Sequence, residues 1–483
     1  MDRQAVLREL VDIVGDGRVL HQPEELLVYE QDAYVMRATP DFVVLPETTS
    51  EVQRIVRLAR RHGVPLVPRG AGTCVSGGAV AATGGIMLSF ARMARILEVD
   101  PVNECAVVEP GVVNLDISRA AAPYGLFYAP DPSSQMVCTI GGNVAENSGG
   151  IHGVAYGVTT NHVLGLEVVL ADGEVVELGG KCHDTLGYDL VGLVVGSEGT
   201  LAVVTKVVVR LMRRPEQVAT MVAVFRTLED ASRTVSDIVA RGLTPSALEL
   251  MDRMAVRAVE EVQDCGYPTD AGAVLLIELE GVRESIERPY ETIREIALAN
   301  GATMVRTAAD EAEREQLWKG RKGVFAAVST IAPNQFTQDG VVPRPRLAEV
   351  LRRVVEIGEK HSLPIANVAH AGDGNLHPLI MFDPRKEGEL ERVMAAGAEI
   401  LRLCVEAGGT ITGEHGVGIE KNDYLEWLYG ERELRAMREV KRVFDPEGLL
   451  NPGKVFPGGV AEGEWRVESI GASASGRRRG MWV

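Results

Sequence analysis

The sequence predicts an α+β protein of two domains, and three observations carry the prediction: the length, a glycine-rich half opening on a β-α-β unit, and a change of texture near Arg214. At 483 residues the chain exceeds the roughly 250–300 residues at which single hydrophobic cores stop growing. Hydrophobic residues at 46% and charged residues at 24% match a globular protein, not a disordered or fibrous one.

The first unit runs from Asp41 to Gly70. Phe42-Val43-Val44-Leu45-Pro46 and Val64-Pro65-Leu66-Val67-Pro68 read as strands. Between them Val52, Ile55, Val56 and Leu58-Ala59 form an apolar stripe at helical spacing that ends at Gly63. Ser50 and Gln53 are expected to form its capping box. Short β-runs follow, including Ala106 to Pro110, Gly165 to Leu170 and Leu201 to Val204. From Arg214 to Glu414, strand-like runs (Met221 to Phe225, Val274 to Glu278) alternate with long amphipathic helices such as Arg346 to His361, which marks an α+β second domain. Beyond Gly458 the chain, with Gly476-Arg477-Arg478-Arg479-Gly480, reads as a solvated disordered tail. No internal repeat is present.

Net charge of -18 argues against nucleic acid, which requires a dense basic patch. A small anion would need a locally positive pocket. The six cysteines form no C-x-x-C, so neither a zinc ribbon nor an iron–sulfur cluster is expected. No leader segment and no apolar run of membrane-spanning length is read, so a cytoplasmic location is expected.

Two glycine-rich segments can bring bare backbone N–H groups to a pyrophosphate: Gly70-Ala71-Gly72-Thr73, directly after a strand, and Gly141-Gly142-Asn143 with Asn147-Ser148-Gly149-Gly150. Arg69 adds charge. Tight turns in a β-rich domain are the blander reading of either segment alone. A Rossmann site fails its test, because each G-x-G (at Gly15, Gly70, Gly372 and Gly416) lacks the third glycine at its spacing. No Walker A pattern occurs.

Pro68 to Thr73, Pro130-Asp131-Pro132-Ser133-Ser134, Thr139 to Gly150 and Gly196-Ser197-Glu198-Gly199-Thr200-Leu201 resemble the FAD-binding domain of the vanillyl-alcohol oxidase and p-cresol methylhydroxylase superfamily. Asn367 to Pro378, Gly413 to Gly418 and Asn451 to Lys454 resemble its 2-hydroxy-acid branch, of glycolate-oxidase type. The resemblance implies a two-part FAD-binding domain over 1–214, a ferredoxin-like α+β cap over 215–413, and a segment, 414–458, returning to the flavin, with the tail at 459–483. It implies cofactor contacts from Arg69, Gly70, Ala71, Gly72, Thr73, Ser76 and Gly77; from Pro130, Asp131 and Ser134; from Gly141, Gly142, Asn143, Asn147, Gly149, Gly150 and Gly153; and from Val204 and Asn451. With no histidine between Arg69 and Thr73, the FAD is expected to be non-covalent.

Histidine is scarce, nine in all, yet His370 and His377 flank a glycine-rich loop between two apolar runs, a hairpin that can aim both imidazoles at one point. Each histidine alone reads as a surface or hydrogen-bonded core residue. With the carboxylate of Glu414 they make a common divalent set, and the resemblance favours that reading, with zinc, manganese or iron as the ion. His415 is expected to stay off the metal and act as base. Oxidising a 2-hydroxy acid needs a hydroxyl proton removed and a hydride moved from the α-carbon to flavin. Arg321 matches the family position that clamps the substrate carboxylate; the alternative is a solvated helix face.

Relatives acting on 2-hydroxyglutarate carry asparagine two residues past the second histidine, where Leu379 stands here. That favours glycolate or D-lactate over a dicarboxylate. A flavin subunit that only relays electrons, and a reductase acting on a nucleotide sugar, both leave the histidine set unexplained. The resemblance implies an iron–sulfur subunit and a second flavin subunit as partners, and peripheral membrane association through them.

Overall fold

A computed structural model describes residues 2–182 and 187–458; the expected tail at 459–483 lies outside the described residues. The chain folds as two compact units. Residues 2–148, 158–213 and 414–458 make the first, and Gly149–Gly157 with Arg214–Gly413 the second.

In the first unit, strands Phe42–Val44 and Leu66–Arg69 are not neighbours. Ile86–Ser89 inserts between them and pairs with both in parallel, and Val19–Leu20 completes a four-stranded sheet. Helix Thr49–His62 buries Val52, Ile55, Val56, Leu58 and Ala59 as the stripe requires and ends at Gly63 with φ 61°. Its N-cap is not Ser50. Thr48 accepts from the Glu51 N–H, while Gln53 donates to the Gly173 carbonyl at 2.8 Å. Thr48 wins because its backbone is extended, whereas Ser50 already lies in the first turn.

A five-stranded antiparallel sheet runs in the order Ile96–Asp100, Cys105–Val108, Val203–Arg210, Val163–Val169, Val175–Gly179. Along Val203–Arg210 burial alternates residue by residue, placing Val203, Val207 and Val209 inward. Helix Ile140–Glu146 adds Ile140 and Val144 to the same core. The C-terminal segment returns to this unit: Leu66 N–H donates to Leu449 and Asn451 N–H to Leu66.

The second unit is built on an antiparallel sheet ordered Met304–Thr307, Gln217–Phe225, Ala273–Gly281, Ala247–Asp252, Ile365–His370, Asn375–Phe382, Asn334–Thr337, with Gly340–Val341 also paired to Asn375–Phe382. Its central strands are buried at every position, which requires cover on both faces. Helices Arg253–Val262 and Glu311–Ala327 supply it on one face through Val256, Val259, Leu317 and Val324, packed on Val222, Val224, Val274 and Leu276. Ile151 joins that core. This explains why Gly149–Gly157 leaves the glycine-rich region and folds with the second unit.

Candidate flavin loops and candidate metal centre

In the first unit the two glycine segments meet. A Cβ placed at Gly70 would collide with Thr139 Oγ1 and lie 3.8 Å from the Gly142 nitrogen. Gly142 itself is open: its nearest neighbour would be Thr139 Oγ1 at 3.7 Å. Thr139 Oγ1 and Arg69 Nη1 are buried polar atoms with no hydrogen-bond partner, a condition that native interiors rarely leave uncompensated. A hydroxyl, a guanidinium and a bare glycine backbone suit the oxygens of a pyrophosphate, so these residues fit an FAD.

The other expected cofactor residues divide by what their atoms already do. Gly141 does not offer its N–H, which donates to the Pro110 carbonyl at 2.8 Å. Asn143 exchanges hydrogen bonds with Asn114 and Cys138, and Asn147 caps its helix at φ 55° while accepting from Thr160. Pro130 lends its carbonyl to Asn114. Asn451 donates to the carbonyls of Gly78 and Glu198 at 3.0 and 2.7 Å. These side chains build the loops. Gly72 and Gly77 have φ of 71° and 81°, where glycine is at ease, and a Cβ at Gly72 would overlap the Arg69 guanidinium. Arg69 packs over Tyr29 and donates to the Gln31 carbonyl at 2.8 Å. Ala71, Thr73, Asp131 and Ser134 lie in the same unit, and Val204 pairs with Val168. Gly149, Gly150 and Gly153 instead fold with the second unit.

Glu414 and His415 also belong to the first unit. The Ser76 hydroxyl, expected at the flavin, donates to the His415 carbonyl at 3.0 Å. Glu198 takes the N–H groups of Val417 and Gly418 at 2.6 and 2.7 Å. Burial pushes the Glu146 carboxyl well above the usual range and the neighbouring Glu198 adds to this. Burial raises the Glu198 carboxyl too, but there two backbone donors and the charges of Lys421 and Lys454 oppose the rise, so of the pair Glu146 takes up a proton first.

The second unit holds His370, His377 and Arg321. His370 ends one strand and His377 lies opposite Val368 on the next, so the register places both on one face. Their rings sit 5.0 Å apart, nearly perpendicular. Glu249, opposite His370 on the adjoining strand, meets its Nδ1 at 2.8 and 2.9 Å. His377 Nδ1 lies 3.3 Å from the Gln338 carbonyl and 3.8 Å from Asp339. An Nδ1–H given to oxygen leaves Nε2 as the lone-pair nitrogen of a neutral ring, the arrangement of metal-ligating histidines. Both imidazoles thus suit a ligating role, and His377 and Asp339 are among the residues whose ligand atoms lie close enough to share an ion. Leu379 shares the His377 face and is fully buried.

Arg321 is 1% exposed, which excludes the solvated helix face. Its Nη2 lies 2.6 Å from Glu249, and its Nε has no hydrogen-bond partner. Sequence reasoning missed Glu249, which stands alone in the apolar run Ala247–Met251 and gains meaning only through its register with His370, and Asp339, which lies in the polar Thr337–Gly340 connection with nothing local to mark it. His152, Glu278 and Glu280 form a separate cluster. Glu278 already accepts from Thr220, Trp318, Arg314 and His152, so Arg314 supplies the positive charge that a cation would bring.

Residues 214–455 match the C-terminal domain of FAD linked oxidases, and residues 40–179 match an FAD binding domain. The chain belongs to the FAD-linked oxidases. This oxidase is 46% identical over 458 residues to the glycolate oxidase subunit GlcD of Escherichia coli (strain K12), covering 95% of this chain and 92% of the relative. It is 35% identical over 452 residues to a D-lactate dehydrogenase of Anaerostipes hadrus, covering 92% and 94%. The structure of p-cresol methylhydroxylase with bound substrate superimposes with a TM-score of 0.79 at 17% identity, covering 94% of this chain and 96% of that one; this likeness establishes the fold. The protein is an FAD-dependent oxidoreductase. Among the described residues no helix is long and apolar enough to cross a membrane.

Proposed function

We propose that this FAD-linked oxidase converts glycolate or D-lactate to the corresponding 2-oxo acid. The observation that carries the reading is the buried imidazole pair, His370 and His377, each with Nδ1 against an oxygen. Similarity to a glycolate oxidase subunit and a D-lactate dehydrogenase supports the substrate class.

In this reading His370, His377 and Glu414 hold one divalent ion, and the loops at Arg69–Thr73 and Thr139–Asn143 hold non-covalent FAD. Bound there, the ion would supply Lewis acidity toward the α-hydroxyl and the flavin would supply a hydride acceptor. His415 takes the hydroxyl proton as general base. Arg321, with a buried unpaired Nε, binds the carboxylate. Glu249 keeps Arg321 and His370 oriented from one carboxylate. Leu379, two residues along the same face from His377, offers a second substrate carboxylate no polar partner and so disfavours it.

The word "subunit" in the relative's name supports an assembly. We assign an iron–sulfur subunit and a second flavin subunit as partners, in the cytoplasm and peripheral to the membrane through them. The test is an anaerobic screen of purified protein with glycolate, D-lactate, L-lactate and D-2-hydroxyglutarate. Flavin bleaching is expected with glycolate or D-lactate; bleaching by D-2-hydroxyglutarate alone would replace the proposed substrate class.

A further inference from the structure

The turn carrying His415 is held in place by a residue to which the proposed chemistry gives no part. Glu198 is buried, with φ 53°. A side chain rarely adopts that left-handed conformation, and it persists where the surroundings dictate it. They do so here from both ends: the Glu198 N–H donates to the Ala145 carbonyl at 2.8 Å, and its carbonyl accepts from Asn451 at 2.7 Å. The carboxylate is thereby aimed at the turn, where Oε1 takes the Val417 N–H and Oε2 the Gly418 N–H. A Cβ at Gly416 would lie 3.0 Å from Glu198 Oε1 and overlap Glu146 Oε2, so glycine there admits the acid.

Two further holds act on the same turn. Ser76 donates its hydroxyl to the His415 carbonyl and accepts the N–H groups of Ile419 and Glu420 on its own carbonyl. The fully buried Lys421 donates to the Gly416 carbonyl at 3.2 Å. The backbone around His415 is thus fixed to the loop that carries Ser76 and to the Gly196–Gly199 turn. Buried charges are poor contributors to stability compared with apolar side chains of similar volume. Their concentration around one short turn points to placement of that turn.

We infer that Glu198 is a positioning residue for His415, acting through the backbone of Val417 and Gly418 to hold the imidazole at a fixed place relative to the flavin loop. The inference rests on the reading of His415 as the base. Glu198→Gln keeps the shape but turns one acceptor into a donor facing an N–H, so one of the two hydrogen bonds is lost.

The experiment is rapid-mixing anaerobic reduction of FAD-loaded wild type, Glu198→Gln, His415→Ala and the double variant by glycolate and D-lactate. The expected result is normal FAD content and half-saturating substrate for Glu198→Gln, with maximal reduction slowed about ten- to a hundredfold. In the His415→Ala background the same change should slow reduction no further, a non-additivity that a merely structural role does not produce. Wild-type rates in Glu198→Gln, or full additivity in the double variant, overturn the inference. Should Glu198→Gln lose FAD or fail to fold, Ser76→Ala removes another hold on the turn and decides by the same two criteria. A wild type reduced by no 2-hydroxy acid overturns the functional reading and the inference together, whereas a reduced wild type, a slow His415→Ala and a fast Glu198→Gln overturn the inference alone.

Discussion

Arg321 and Glu249 form a buried ion pair, 2.6 Å between Nη2 and Oε2 with each side chain 1% exposed. Glu249 also holds His370, so one carboxylate sets both a guanidinium and an imidazole. Removing one partner leaves the other charge buried and uncompensated, which costs about 3–5 kcal/mol. Arg321→Met should therefore lower the urea midpoint strongly. Arg321→Lys keeps the charge but loses the fork; a lost charge-assisted hydrogen bond of about 1.5–3 kcal/mol corresponds to a fall in kcat/KM of roughly tenfold to a hundredfold. Unchanged kinetics in Arg321→Lys would move the carboxylate clamp elsewhere.

Gly142 and Gly70 should respond differently to added bulk. The space beside Gly142 is open in the protein, so Gly142→Val should fold with a near-normal melting temperature and yet purify colourless. At Gly70 a methyl collides with Thr139 Oγ1, so Gly70→Ala should lose both stability and flavin. FAD released on denaturation and thermal melts check the pair. Full flavin in Gly142→Val would place the pyrophosphate elsewhere.

Glu278 predicts an acid limb in stability. Burial raises its pKa, but hydrogen bonds from His152 and Arg314 outweigh that and hold it at about 2, against an ordinary 4.5. A depressed folded pKa means stability fully present above the unfolded value and lost as pH falls from about 4.5 towards 2, on the order of 3 kcal/mol in all. Arg314 faces it directly and Glu280 is nearby. Glu278→Gln should be less stable at pH 7 and show a flatter stability profile across that window. Denaturant unfolding at pH 7, 4.5 and 3 checks this, and parallel profiles for the two proteins would contradict it.

Much of the fold was legible because local patterns were strong. The stripe from Val52 to Ala59 gave its helix, and the His370 to His377 hairpin followed from two apolar runs around glycine. Long-range placement was not legible. Nothing local in Ile86–Ser89 says that it separates Phe42–Val44 from Leu66–Arg69. Gly149–Gly157 looks like the glycine-rich loop it continues, and only the burial of Ile151 among second-unit residues shows otherwise. The histidines and Arg321 stood out by type and motif. Glu249 did not, and Glu198 stood inside the Gly196–Leu201 motif without a role of its own, because an acid becomes a site residue only through the partner its strand or turn presents.

The histidine pair predicts metal dependence with distinct signatures. His370→Ala or His377→Ala should purify without stoichiometric metal and match chelated wild type, which should recover when metal is returned. His415→Ala should keep metal and FAD while losing flavin reduction, with the loss easing as pH rises because hydroxide partly replaces the base. Metal analysis beside FAD content separates these outcomes. Full activity of a wild type freed of metal would remove the ion from the account.

The central claim is that this flavin takes electrons from the α-carbon of a small 2-hydroxy acid. A single anaerobic turnover with glycolate, protiated or deuterated at that carbon, tests it most directly. The account predicts one glyoxylate formed per FAD reduced, with slower reduction by the deuterated acid. A flavin that stays oxidised with glycolate and with D-lactate, or is reduced without formation of the 2-oxo acid, would contradict it.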